Sequence, residues 1–127
     1  MKPTQKSTQL LIIDDHDGVR EALKARLNAA PDMEVVGCTG CWRIGLNAAL
    51  TREPDVVLLE IKRADGEGLE ALECLANQCA STDIVVLTSY ADADERAKAR
   101  AKGAAGYLLK DIDTRQLVRE IRSVTGE

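Results

Sequence analysis

The sequence predicts an α/β fold: a doubly wound parallel sheet of five strands, built as (βα)5, with helices on both faces. Three observations lead there. The chain has 127 residues, room for one ordinary domain around a single core. Short β-branched runs alternate with longer segments of helical spacing along its whole length. Each strand candidate is continuously apolar rather than alternating, as strands covered on both faces require. A composition of 45% hydrophobic and 30% charged residues is that of a globular protein, not a disordered, collagenous or coiled-coil one.

Taken in order, the strands are expected at Leu10–Ile13, Val35–Cys38, Val56–Leu59, Ile84–Leu87 and Tyr107–Leu109. The first helix carries Val19, Ala22, Leu23, Leu27 and Ala30 on one stripe, and the second carries Trp42, Gly45, Leu46, Ala49 and Leu50. Leu69, Leu72, Leu75 and Ala76 mark the third, and Leu117, Ile121 and Val124 the fifth. The fourth, Ala93 to Lys102, turns only alanines inward and is expected to dock least firmly. Asp92, Asp94 and Glu95 open it, basic residues from Arg96 to Lys102 close it, and Gly103 stops it, in keeping with the helix dipole. Pro31 and Pro54 fall in connections, where a missing N–H is harmless. Crossovers are expected to be right-handed, and for a doubly wound sandwich of flavodoxin-like size the strand order expected is 2-1-3-4-5. One domain over 1–127 is expected, with its ordered core at about 9–125.

Composition excludes several roles. A net charge of −4 argues against a surface built to grip nucleic acid. No apolar run approaches the roughly 20 residues of a membrane span, and the opening MKPTQKSTQ has no signal core, so a soluble cytoplasmic protein is expected. Cys38, Cys41, Cys74 and Cys79 lack the paired spacing of a zinc ribbon and are read as reduced thiols behaving as small buried hydrophobes.

Function in such sheets collects at the carboxyl ends of the strands, near the point where strand order reverses. There the first strand runs into Asp14-Asp15, the third into Glu60, the fourth into Thr88-Ser89 and the fifth into Lys110. Three converging carboxylates repel unless a cation lies among them, and hard oxygen ligands suit Mg²⁺. Lys110 and the Thr88 hydroxyl suit a phosphoryl oxygen. Turn chemistry and helix capping are the plain alternative for the acidic pair, and most lone Thr or Lys residues carry no function.

These motifs resemble the receiver domains of bacterial two-component response regulators, over nearly the whole chain from Leu10 to Val124. The resemblance rests on Leu-Ile-Ile-Asp14-Asp15-His16, Pro54-Asp-Val-Val-Leu-Leu-Glu60, Gly66-Glu-Gly68-Leu-Glu-Ala-Leu72, Val-Val-Leu-Thr88-Ser89 and Gly103-Ala-Ala-Gly106-Tyr107-Leu-Leu-Lys110-Asp111. The first and last look most like receivers of LuxR/NarL-type transcription regulators. The resemblance implies that Asp14 and Asp15 bind Mg²⁺ with the acceptor residue and the backbone carbonyl of Lys62. It also implies that Thr88 and Lys110 contact the phosphoryl group and that Thr88 and Tyr107 form the switch pair. It implies a histidine kinase, and an output domain or partner, as partners.

One departure stands out. The phosphoacceptor position holds Glu60 where the family has Asp, and Arg63 and Ala64 replace the methionine and proline expected just after it. An added methylene moves the carboxylate by roughly 1.5 Å, and misplacement of about 1 Å can cost a positioned reaction ~100-fold. The expectation is therefore a receiver that works without phosphorylation or is constitutively biased, and not an enzyme. A small Mg²⁺-dependent phosphohydrolase and a non-phosphorylatable interaction scaffold are the alternatives. His16 is read as a loop or helix-start residue rather than a ligand, and Trp42 as the large member of its stripe. Arg96, Lys98, Arg100 and Lys102 are read as a solvated face. Self-association is expected through the fourth helix, fifth strand and fifth helix. The chain is read either as a lone receiver or as a piece of a longer regulator.

Overall fold

The computed structural model describes residues 7–126. Five strands, β1 (Thr8–Ile13), β2 (Met33–Thr39), β3 (Val56–Glu60), β4 (Asp83–Thr88) and β5 (Gly106–Leu109), alternate with five helices. These are α1 (Asp17–Asn28), α2 (Trp42–Arg52), α3 (Gly68–Gln78), α4 (Ala93–Ala101) and α5 (Thr114–Val124). All strand pairs are parallel, as the alternation predicts, and the order is the expected β2-β1-β3-β4-β5.

Because successive side chains point to opposite faces of a strand, each apolar run feeds two cores. Leu11, Ile13, Val57, Leu59 and Val86 pack with α2 and α3 on one face. Leu10, Ile12, Leu58, Val85 and Leu87 pack with Leu23 and Leu27 of α1 and Leu117 and Ile121 of α5 on the other. Each of these side chains is worth about 1.5–3 kcal/mol of burial.

Full burial is confined to the inner strands. β2 and β5 are only half-buried beyond Met33, because each has a neighbour on one side alone. Their apolar runs do not reflect cover on both faces. Two stripe residues also face outward: Ala22 is exposed, and Leu50 is 46% exposed. Inward contact in α1 runs through Leu23 and Leu27, and in α2 through Trp42, Gly45 and Ala49; Ala22 and Leu50 lie one residue, about 100° of rotation, away. All four cysteines are free, but only Cys79 is buried, and burial pushes its thiol up; Cys41 is exposed at the start of α2.

α4 behaves as its composition suggests. Ala99 is its one buried residue, the Asp92 side chain accepts from the N–H groups of Asp94 and Glu95, and Gly103 ends the segment at φ 111°. Gly68 is required for a different reason. A Cβ there would lie 1.9 Å from the Ile61 carbonyl oxygen, so α3 starts hard against the chain that has just left β3. This close approach fixes the path of residues 61–67, which border the acidic edge.

Candidate functional site

The strand order places the carboxyl ends of β1 and β3 side by side, and Asp14 and Glu60, the first at 1% and the second at 0% exposure, meet there. Lys110, delivered just past β5, lies between them. Its Nζ is 2.6 Å from Asp14 Oδ2 and also pairs with Glu60 Oε1. The Lys110 N–H donates to the Thr88 carbonyl, which sets where that side chain leaves the sheet. Burial alone would lower the Lys110 pKa; pairing with Asp14 and Glu60 outweighs it, so the ammonium keeps its proton above the ordinary lysine range. The stabilisation is whole at neutral pH and is lost only as pH rises through the elevated value.

The remaining oxygens are shared out locally. Asp14 Oδ1 accepts from His16 N–H at 2.9 Å, Asp15 Oδ2 from Ala64 N–H at 2.8 Å, and Glu60 Oε2 from Lys62 N–H at 2.7 Å. Asp14 Oδ2, Asp15 Oδ1 and Glu60 Oε1 are buried without an aligned hydrogen bond; the Lys110 ammonium faces the first and the last, and the His16 ring faces Asp15 Oδ1. Ligand atoms of Asp14, Asp15 and His16 all lie within 4.8 Å of one another. Buried hard oxygens lacking a hydrogen bond fit a divalent cation such as Mg²⁺.

Asp14, Glu60 and Lys110 thus meet at one point, while Asp15 joins Asp14 through the His16 ring and accepts from the Ala64 N–H rather than pairing with Lys110. The cluster of close metal-ligand atoms comprises Asp14, Asp15 and His16, without Glu60. His16 sits at the N-cap of α1, a helix-start position as read, but its Nδ1 is also 3.2 Å from Asp14 Oδ1 and from Asp15 Oδ1. Its place next to the acidic pair was the signal. Thr88 is fully buried, and its hydroxyl donates to the Tyr90 carbonyl at 3.0 Å.

A second cluster lies on the α4 side. The Tyr107 hydroxyl donates to Glu95 Oε1 and accepts from Asp92 N–H at 3.3 Å. Lys62 Nζ donates to Glu95 Oε2 at 2.7 Å and lies 4.2 Å from the centre of the Tyr90 ring, while the Arg96 guanidinium covers Tyr107. Burial first, then donation to Glu95, pushes the Tyr107 phenol up, and the Glu95 hydrogen bond outweighs burial to raise Lys62. Glu95 is the hub of this cluster. Sequence reading sees it only as a helix-dipole charge, since nothing in its spacing marks partners 33 and 12 positions away.

Arg63 is the other residue that spacing hides. Its side chain is 2% exposed, donating from Nη2 to the Gly40 carbonyl and from Nε to Asp65. Burial tends to raise the Asp65 carboxyl, but the Glu67 N–H and Arg63 override it and hold it low. Glu67 in turn accepts from the Trp42 indole N–H at 2.8 Å. The loop after β3 is thereby tied to the start of α2.

A sequence model described as "Response regulator receiver domain" matches residues 10–122. The transcriptional regulatory protein LiaR of Bacillus subtilis (strain 168) is 34% identical over 117 residues, covering 92% of this chain and 56% of that protein. The nitrate/nitrite response regulator protein NarL of Escherichia coli (strain K12) is 33% identical over 124 residues, covering 97% and 57%. The crystal structure of the response regulator domain of Thermotoga maritima CheB superposes with a TM-score of 0.85 at 25% identity, covering 96% of this chain and 98% of that one. The chain spans about half the length of the curated relatives it matches.

The Glu95 hub makes a pH prediction. With Tyr90→Phe leaving Tyr107 as the sole tyrosine, phenolate absorbance should titrate above the ordinary value of 10.0, and Glu95→Gln should bring the midpoint down while burial keeps part of the rise. An unchanged midpoint in Glu95→Gln contradicts the hub.

Proposed function

The chain belongs to the response regulator receiver domain family, and from that premise we propose that it is a LuxR/NarL-type receiver whose signalling state does not depend on phosphorylation. The observation that carries this reading is the state of Glu60: wholly buried, one methylene longer than the family's aspartate, with one oxygen on Lys110 and the other on the Lys62 N–H. Attack on phosphorus needs a free, in-line carboxylate oxygen at a set distance, and positioning is nearly the whole of catalysis in phosphoryl transfer. Glu60 instead supplies a permanent negative charge, smaller than the −1.5 to −2 of a phosphoryl group.

In this reading Asp14 and Asp15, with the Lys62 carbonyl and in weaker measure Glu60, would hold Mg²⁺, which when bound supplies positive charge toward phosphoryl oxygens. Thr88 and Lys110 keep the roles of hydroxyl and cation beside the acceptor, and Thr88 and Tyr107 those of the switch pair. The protein acts in the cytoplasm, not as an enzyme but as a signalling module. It communicates with a histidine kinase or with an output domain that regulates transcription, and self-associates through α4, β5 and α5. Among the described residues, no helix is long and apolar enough to cross a membrane.

Incubation with acetyl phosphate and Mg²⁺, followed by intact-mass spectrometry, tests the central point. The unmutated chain should take up no phosphoryl group, and Glu60→Asp should regain some, limited by the loop that Arg63 and Ala64 shape. An adduct on the unmutated chain mapped to Glu60 overturns the reading.

Calorimetry addresses the metal separately. Weak binding is expected at millimolar Mg²⁺ and should be abolished by Asp15→Ala; heat absent from the unmutated protein, or undiminished in Asp15→Ala, contradicts the assignment.

A further inference from the structure

A groove of about 810 Å³ runs along α5 beside the turn that follows α1, sharing no residue with the acidic site. Val118, Ala30 and Pro31 form its apolar part, while Arg115, Arg119 and Arg122 line it at i, i+4 and i+7 of one helix face. The wall is firmly held: Arg26 of α1 donates to the Thr114 hydroxyl at 2.9 Å and to the Ile112 carbonyl at 2.7 Å, fixing the start of α5.

The arginines are not explained by the fold itself. Among the described residues Arg115 and Arg119 have no ion-pair or hydrogen-bond partner, and Arg122 has only long contacts, 3.4 Å to the Pro31 carbonyl and 3.5 Å to Asp32. Arg115 lies in the first turn of α5, where a cation opposes the helix dipole and an acid would be stabilising. A stripe of positive charge, unpaired at Arg115 and Arg119 and only loosely paired at Arg122, is thus concentrated around an apolar floor on a chain of net charge −4.

We propose that this groove docks an acidic segment of a protein partner, with an apolar side chain of that segment seated on Val118 and its carboxylates on Arg115, Arg119 and Arg122. Charge complementarity selects this occupant. A second copy with its groove apposed directly to this one would bring like charges together, and like charges across an interface repel. Duplex DNA would satisfy the arginines but leave the apolar floor unfilled and meet a chain of like overall charge. The inference is independent of Glu60 and of whether the acidic site takes a phosphoryl group.

The probe is a fluorescent peptide of about twelve residues repeating Glu-Glu-Leu, a length suited to a groove along one helix. Saturable binding is expected, with amide NMR shifts mapping to Ala30, Val118 and Ser123. Added salt should weaken it, and Arg115→Glu with Arg119→Glu should weaken it by about 10-fold or more. Arg52→Glu, at the exposed end of α2 and outside the groove, should leave it unchanged. Both groove substitutions are at exposed positions, and an unaltered circular dichroism spectrum confirms that the variant is folded. No binding overturns the proposal. So does binding that survives the double reversal, equal binding of an all-Glu peptide of the same charge, or displacement of the probe by a duplex DNA of matched charge.

Discussion

A single ammonium group holds the carboxyl edge of this sheet together. Asp14 and Glu60 end neighbouring buried strands, and two carboxylates removed from water beside each other cannot both remain charged without a cation between them. Lys110 supplies it. Breaking such a buried pair by removing one partner typically costs about 3–5 kcal/mol, because the other charge is left uncompensated. Lys110 follows β5, a short half-buried edge strand, and its two ion pairs reach from that edge to the ends of β1 and β3.

Lys62 carries this arrangement outward. Its backbone N–H binds Glu60 while its ammonium binds Glu95, so one residue belongs both to the acidic site and to the cluster that holds Tyr107 and the start of α4. α4 buries little apolar surface of its own and depends on these polar ties for its position. The consequence for a receiver is direct. In a phosphorylatable site the acceptor changes its charge and the tie to α4 can change with it; under the function proposed above, Glu60 keeps both constant.

Much of the fold was legible because its signals are local and strong. Buried runs such as Val56–Leu59 and the stop at Gly103 follow from side-chain period and backbone freedom, and parallel pairing follows from alternation. Predictions slipped at the margins. The runs in β2 and β5 are as apolar as the others, yet an edge position leaves them half-covered, which no window of sequence reveals. Leu50 reads as a stripe residue but lies one step round the helix from the buried line. In the site, residues placed directly after strands were found, since strand ends converge by topology. Glu95 and Arg63 were not, because their partners are set by tertiary approach: Tyr107 and Lys62 reach Glu95 across the α4 side of the sheet, and Arg63 reaches Gly40 across the opening of α2.

The acidic edge depends on the coupling between Lys110 and Glu60, and a double-mutant cycle measures it directly. Chemical denaturation of the unmutated protein, Lys110→Met, Glu60→Gln and the double variant should give a coupling energy of about 2 kcal/mol or more, with the double variant less damaged than the sum of the singles. Additive losses, with coupling near zero, would contradict an acidic edge organised by that one ammonium group.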